Sequence, residues 1–317
     1  MPLTNTQLLW YDSNVLRLTQ QKRTEYHEQV DRLIKELRKH VENRSELTVT
    51  KVVKAGSFAK YTILRKTNDD PVDVDVVFYI TGEDVDHKTF AELSETIYQL
   101  LIKIYPTKKV EDFEIQRRAA TVTFVGSGLA VDIVPVLQDA TRADFGWQFD
   151  IQDGSKSLTC APCSIQFVAK RKDADPQFRT LIRLGKRWKN HRKPPGLKSF
   201  HIELIMARLL EKNGTGASIE QRFRDFLLYI AKSELKERID FVENRDKPTV
   251  KFTDPVVIID PVNNSNNVAS RITEAERLEI VSTANESWEA AHTASADDDQ
   301  DVWKEIFGPR FRVEDDE

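Results

Sequence analysis

The first half of the chain alternates between helical and strand-like patterns of apolar residues. From about residue 19 to 43, apolar side chains recur at the 3.6-residue spacing of a long amphipathic helix: Tyr26, Val30, Leu33, Ile34, Leu37 and Val41. The segments after it are predicted as a strand, a second strand, a helix and the two strands of a hairpin: 47–55, 72–80, 89–104, 119–125 and 129–136. Between the first two strands, Gly56 precedes a short predicted helix and a polar loop that ends at Pro71.

The second half of the chain is dominated by helical periodicity. The predicted helices cover 177–191, 199–212, 217–235 and 270–292, and a short extended segment lies at 256–260. Together the two halves predict an α+β fold, in which a first domain with a small mixed sheet spans residues 1–155. A mainly helical second domain is predicted over residues 156–317. We expect a cleft between these two lobes.

Composition and charge narrow the possible partners. The 317 residues are 40% hydrophobic, enough for a core, and 47 basic against 51 acidic residues give a net charge of −4. This balance argues against constitutive nucleic-acid binding, although the basic segment 186–193 is a candidate for a local basic pocket. Acidic tracts at 297–299 and 314–317 are predicted as a solvated loop and a tail. With neither a long apolar run nor a signal-peptide pattern, we expect a cytoplasmic protein that does not bind membranes.

The two cysteines form a single C-x-x-C pair. Cys160 and Cys163 supply half of a four-ligand zinc site, and the sequence holds no second half. A thioredoxin-like context is also absent from the pattern around them. We therefore predict two free thiols in a loop.

A pair of carboxylates in the second predicted strand is the first candidate for chemistry. Because side chains alternate along a strand, Asp73 and Asp75 leave the same face of VDVDVVFYI, about 7 Å apart. Two such carboxylates repel each other unless a cation lies between them, and hard oxygen ligands suit Mg²⁺ or Mn²⁺. The alternative is a half-exposed strand whose polar residues face water.

A third carboxylate favours the metal site over that alternative. Asp132 stands in LAVDIVPV, where an acid is out of keeping with an otherwise apolar strand. If this strand lies beside 72–80, three acids converge, as two-metal phosphoryl transfer requires. Asp132 is then a metal ligand and a candidate base on the acceptor side.

Gly56-Ser57 completes the candidate site. A glycine before a helix lets backbone N–H groups approach a phosphate, and the Ser57 hydroxyl adds a donor. Taken alone, Ser57 is better explained as an ordinary helix N-cap. Followed by the D-x-D pair and the lone acid, it becomes specific.

These motifs resemble the DNA polymerase β-like nucleotidyltransferase superfamily, whose pattern is a Gly-Ser, an Asp-x-Asp/Glu and a third Asp. Within it, AGSFAKYTIL, VDVDVVFYI and LAVDIVPV are most similar to the bacterial cGAS/DncV-like nucleotidyltransferases, relatives of oligoadenylate synthase that make cyclic nucleotide signals in antiphage defence. The later segments RLGKRWKN, LKSFHIELI and DPVNNSNNV match as well. The resemblance implies a polymerase β-like catalytic lobe, Mg²⁺ or Mn²⁺ as cofactor, NTP substrates with ATP among them, and an activator or regulatory protein as a further partner.

The resemblance also implies roles for individual residues. Asp73, Asp75 and Asp132 match the metal ligands, and Gly56 and Ser57 match residues that hold the triphosphate.

In the helical half, the resemblance implies phosphate contacts for Lys186 and Ser199 and base stacking for Phe200. The residues alone leave a solvated Lys186 equally open, and they favour core packing for Phe200, which begins an apolar helix. For the asparagines of 263–267 they indicate a turn-rich loop, and the resemblance adds a role in base choice.

The function predicted from these residues is metal-dependent joining of NTPs into a cyclic di- or trinucleotide second messenger, with release of pyrophosphate. Two alternatives stay open at this point. One is a linear oligonucleotide synthase or an RNA terminal nucleotidyltransferase, and the other is a catalytically silent nucleotide sensor. The presence of all three acids disfavours the sensor.

Overall fold

The chain divides into two compact units. The computed structural model describes residues 2–44, 47–65, 71–81, 87–245, 248, 250–297 and 301–314. The sheet unit is Leu18–Gln166, and the helical unit combines Met1–Arg17 with Phe167–Glu317. The predicted polar loop before Pro71 and most of the two acidic tracts lie outside the described residues.

The two units are not the predicted ranges 1–155 and 156–317, because the N-terminus packs with the helical unit and the second boundary falls at 166/167, inside the helix Ala161–Ala174. Helix α1 (Asn5–Tyr11) and a π-helical segment (Asp12–Leu16) bury Leu8, Tyr11 and Leu16. The Tyr11 ring lies 5.7 Å from the ring of Phe307, near the other end of the chain. A helix of seven residues is too short for its apolar periodicity to predict which unit it packs against.

The sheet unit is built on seven strands of the described chain. They are β1 (Thr48–Lys54), β2 (Val72–Thr81), β3 (Phe113–Ile115), β4 (Ala120–Phe124), β5 (Leu129–Gln138), β6 (Gly146–Phe149) and β7 (Lys156–Thr159). The sheet order is β1-β2-β5-β4-β3, with β6 paired to the end of β5 and β7 to β6. β2 and β5 run parallel and the other pairs antiparallel, so the predicted mixed sheet and α+β fold are confirmed.

Strand alternation gives the sheet one apolar face and one mixed face. The helices α2 (Gln20–Arg44) and α4 (His87–Ile104) pack on the apolar face. Their core includes Leu33 and Leu101 from the helices and Val74, Val131 and Val122 from the strands. Residues one position along each strand therefore emerge on the opposite face, which carries the candidate site.

The helical unit contains the remaining helices of the described residues. After α3 (Gly56–Ala59) and α4 of the sheet unit, they are α5 (Ala161–Ala174), which crosses the unit boundary, α6 (Phe178–Arg192), α7 (Ser199–Asn213), α8 (Ile219–Ser233), α9 (Glu274–Asp297) and α10 (Val302–Phe307). The sequence patterns indicated α6 to α9 but not α1, α5 or α10. The extended segment predicted at 256–260 is a two-residue strand, β8 (Ile259–Asp260), paired with β9 (Asn263–Asn267). None of the helices in the described chain is both long and apolar enough to span a membrane.

A buried ion network ties the N-terminus to α6. Asp12, fully buried, accepts from Arg183 Nε at 2.5 Å and Nη2 at 2.6 Å, from Thr180 Oγ1 at 3.0 Å and from Arg17 Nη2 at 3.0 Å. Because every donor reaches a carboxylate oxygen, the charge is compensated inside the unit.

The prediction of free thiols is wrong in this structure. Cys160 and Cys163 are joined by a disulfide at the start of α5, with their Cα atoms 5.2 Å apart. The helical turn that begins at Ala161 brings the two side chains together. The apolar pattern around the two cysteines does not indicate a helix, which is why the sequence predicts a loop here.

Candidate active site

Acidic and hydroxyl side chains form a row across the mixed face of the sheet. In the parallel pairing, Asp75 of β2 lies directly opposite Asp132 of β5. Asp132 in turn lies opposite Thr121 of β4, and Thr121 lies opposite Glu114 of β3. Asp73 leaves the same face two residues before Asp75. The predicted neighbourhood of the three aspartates on adjacent strands is therefore present.

Asp132 is hydrogen-bonded to its neighbour in this row. Its Oδ1 accepts a hydrogen bond of 2.6 Å from Thr121 Oγ1. Burial raises the pKa of Asp132 to about 6, and the charges of Asp75, Asp73 and Glu114 add to the rise while the Thr121 hydrogen bond opposes it. The carboxylate thus sits where negative charge is costly, which favours a cation nearby.

Gly56 lies against the side chain of Asp75. A Cβ atom added at Gly56 would come within 1.6 Å of Asp75 Oδ2, and the residue has a φ of +57°. Both the space and the left-handed backbone therefore require glycine. Ala55 N–H donates to the Asp75 carbonyl oxygen at 2.8 Å, which fixes the turn to β2. Ser57 follows in the one-turn helix α3.

The donor set suits a hard divalent cation. Asp73, Asp75 and Asp132 offer only carboxylate oxygens, the ligands that Mg²⁺ and Mn²⁺ prefer. In the described part of the chain no three acidic, histidine or cysteine side chains are already gathered closely enough to hold a metal ion. The Asp132 carboxylate is turned toward Thr121. The site therefore fits a metal by its chemistry and its shared face, and not by a preformed cage.

The other predicted site residues belong to the helical unit. Lys186 of α6 is only 5% exposed, and Trp188 is fully buried. Ser199 begins α7 and, like Phe200 beside it, is partly exposed. Lys189 Nζ lies 3.5 Å from Ser199 Oγ, and burial lowers the pKa of this lysine. The structure thus places Lys189, a member of the predicted basic segment 186–193, beside Ser199.

The asparagines of β9 hold together the β8–β9 hairpin and the segment before it. Asn264 Nδ2 donates to the carbonyl oxygen of Asn244 at 2.9 Å. Asn267 Oδ1 accepts from Ile258 N–H at 2.9 Å, and its Nδ2 donates to the carbonyl oxygen of Val256 at 2.8 Å. The residues form a strand paired with β8 and not the predicted turn-rich loop, and the buried amide side chains add hydrogen bonds to backbone groups of neighbouring segments.

Comparison with known proteins identifies the family. Residues 3–162 match the model of the SMODS domain, the Second Messenger Oligonucleotide or Dinucleotide Synthetase domain. The chain belongs to the SMODS family. It is 62% identical over 315 residues to a CBASS oligonucleotide cyclase CdnC of Escherichia coli strain KTE188, with 99% of both chains covered. It is 32% identical over 307 residues to a cyclic AMP-AMP-AMP synthase of Escherichia coli strain MS 115-1, with 94% of each covered.

Solved SMODS-type structures agree with this assignment. Two structures of CdnC from Escherichia coli MS115-1, one with ATP and one in complex with HORMA-deltaN, each align with a TM-score of 0.82 and 31% identity. Each alignment covers 98% of this chain; it covers 99% of the CdnC chain solved with ATP and 98% of the chain aligned from the HORMA-deltaN complex. The predicted relation to cGAS/DncV-like nucleotidyltransferases is confirmed.

Family membership also confirms the predicted activity. The chain is a nucleotidyltransferase that synthesises a cyclic oligonucleotide in antiphage defence. Nucleotidyltransferases of this kind are metal-dependent. The linear synthase and the silent sensor, left open by the residues alone, are thereby set aside.

Proposed function

We propose that Asp73, Asp75 and Asp132, together with Gly56-Ser57, form the catalytic centre of this cyclase. The register of Asp75 against Asp132 carries the proposal, because it sets two carboxylates on adjacent parallel strands facing the same side. The Gly-Ser turn, residues 56–62, lies at the same place, because Gly56 closely approaches the Asp75 carboxylate. One site then offers both acids and phosphate-binding donors.

Each group has a distinct task in this assignment. Mg²⁺, or Mn²⁺ in its place, held by the three aspartates would neutralise the triphosphate and lower the pKa of the attacking sugar hydroxyl. The Ser57 hydroxyl and the backbone N–H groups of the turn bind the triphosphate oxygens. Asp132 lies on the acceptor side of the site in this assignment, and its carboxylate is the candidate base for the proton of the attacking hydroxyl.

ATP is the substrate we propose to test first, with a cyclic trinucleotide of AMP as the first candidate product. The 32% identical relative bears the name cyclic AMP-AMP-AMP synthase, and the solved relative was determined with ATP. Since that relative was also solved with HORMA-deltaN, we propose a regulatory protein as a partner of this chain. We propose the cytoplasm as its location.

In the helical unit we propose phosphate contacts for Lys186 and Ser199 and base stacking for Phe200. The partial exposure of Ser199 and Phe200 leaves both side chains open to a ligand. Lys186 is almost fully buried, so only a small part of its side chain is accessible to a phosphate.

The test is incubation with each α-labelled NTP and Mg²⁺ or Mn²⁺, followed by phosphatase. A phosphatase-resistant product that is made from ATP and lost in Asp75→Asn supports the proposal. Asp139→Asn changes a partly buried acid just after β5 whose charge is paired with Arg142; it is the matched control and should retain the product. A phosphatase-sensitive ladder would contradict cyclisation, and an Asp75→Asn variant as active as the control would contradict the site.

A further inference from the structure

Arg23 of the long helix α2 reaches the turn that carries Ser57. The side chain is only 6% exposed, and its Nη2 donates to the carbonyl oxygen of Phe58 at 2.6 Å. The guanidinium carbon lies 4.3 Å from the centre of the Phe58 ring and 3.7 Å from that of Tyr61. Two aromatic residues of the Gly-Ser turn therefore contact one buried cation.

The hydrogen bond reaches the end of a helix of one turn. Helix α3 covers only Gly56–Ala59, so its carbonyl groups depend on donors that lie beyond the helix. The Phe58 carbonyl oxygen accepts from Tyr61 N–H at 3.3 Å as well as from Arg23. Thr62 N–H donates to the Ser57 carbonyl oxygen at 2.9 Å, so the chain returns directly past Ser57.

Tyr61 shows how tightly the turn is held. It has a φ of +60°, a left-handed conformation that costs free energy for a residue with a side chain. Its ring is half exposed, so burial of the ring contributes little to holding it there. The contact with the Arg23 guanidinium contributes to holding this backbone conformation.

We propose that Arg23 is a positioning residue for nucleotide binding, which fixes Ser57 and the backbone donors of the turn in the orientation that receives the triphosphate. The inference rests on the proposed role of Gly56-Ser57. A guanidinium suits this task and an ammonium does not, because only a planar fork can lie over two rings while it donates to a carbonyl oxygen.

The test compares Arg23→Lys with Arg38→Lys. Arg38 is a matched control, because it lies on the same helix and donates to the carbonyl oxygen of Val49, in β1 and outside the Gly-Ser turn. The probe is α,β-methylene ATP with Mg²⁺, measured by calorimetry, together with KM and kcat for ATP. For Arg23→Lys we expect Kd and KM to rise about tenfold, the order for losing a charge-assisted hydrogen bond, with kcat nearly unchanged. For Arg38→Lys we expect neither to change.

Equal Kd values for the two variants would overturn the inference, and so would a loss confined to the melting temperature of Arg23→Lys. If Arg23→Lys does not fold, Tyr61→Leu removes one ring contact at a half-exposed position, and an unchanged Kd in that variant would overturn the inference as well.

Ser57→Ala separates the inference from the proposed function. An unchanged Kd in Ser57→Ala refutes the role of the turn, whereas a weakened Ser57→Ala beside a normal Arg23→Lys refutes only the positioning. In the double variant Arg23→Lys/Ser57→Ala, a change in the free energy of binding that differs from the sum of the two single changes supports coupling through the turn.

Discussion

Asp132→Asn is expected to stabilise the metal-free protein while it abolishes activity. Burial and the neighbouring acids raise the pKa of Asp132 from its ordinary value of 3.8 to about 6. Keeping this carboxylate ionised in the folded state at neutral pH therefore costs about 3 kcal/mol relative to the unfolded chain. Asparagine has nearly the same shape and no charge, and its Oδ1 still accepts from Thr121. We expect a gain of about 1–3 kcal/mol in the free energy of unfolding.

The pH dependence identifies the cause. Between about pH 4 and pH 6 the folded protein binds the Asp132 proton and the unfolded chain releases it, so this group makes the wild-type stability fall as pH rises through that window. Above pH 6 the loss is complete. The advantage of Asp132→Asn is therefore near zero at pH 4 and reaches its full size by about pH 7.

The assay is urea unfolding in EDTA at pH 4.5 and pH 7.5, read by tryptophan fluorescence. Asp139→Asn serves as the control for removing any carboxylate, and it should not stabilise, because hydrogen bonds from Arg142 and Thr141 lower the pKa of Asp139. The reasoning would be refuted if Asp132→Asn were no more stable than wild type at pH 7.5. A gain of equal size at both pH values would also refute it, since the effect would not come from the charge.

Three further predictions concern the rest of the fold and the site. Gly56→Ala should lose activity and stability, because its Cβ would meet Asp75. Gly126→Ala is the control and should keep both, because the space around it is open. Thermal melting and product yield check this. Asp12→Ala should lower the free energy of unfolding by about 3–5 kcal/mol in urea titrations, since it leaves Arg183 buried without its carboxylate. Activity should vanish in EDTA and return with Mg²⁺ or Mn²⁺, and product formed at full rate under chelation would contradict the metal-dependent mechanism.

Strand alternation made much of the candidate site predictable. In 72–80 and 129–136 it determines that Asp73, Asp75 and Asp132 leave the face opposite the apolar core. Once the turn sets Phe124 opposite Leu129, the hairpin register also places Thr121 opposite Asp132, a partner the sequence analysis overlooked. The pairing of β2 with β5 was only a hypothesis from the sequence, because parallel strands far apart in the chain carry no local signal of their neighbour.

Weak local periodicity and contacts between distant segments account for the features that could not be predicted from the sequence. The helix α5 that brings Cys160 to Cys163 has weak periodicity, and α1 is too short to show where it packs. The amide network of Asn264 and Asn267 looks like turn chemistry in sequence, because the same residue types serve both purposes.

Asp132, Arg23 and Asp12 are each a charged residue among apolar neighbours. Their hydrogen-bond partners distinguish a charge of the candidate site from one that only stabilises the fold. Arg23 lies on the same stripe of α2 as Tyr26, and Asp132 stands in an apolar strand. Asp12 is surrounded by donors that compensate its charge, so it needs nothing further. Asp132 has one hydroxyl donor and mainly acidic neighbours, an arrangement that is costly unless a cation binds. The sequence singles out Asp132, whereas the burial of Arg23 and Asp12 comes from the structure. The local balance of donors and acceptors then distinguishes Asp132 as the candidate for the reaction.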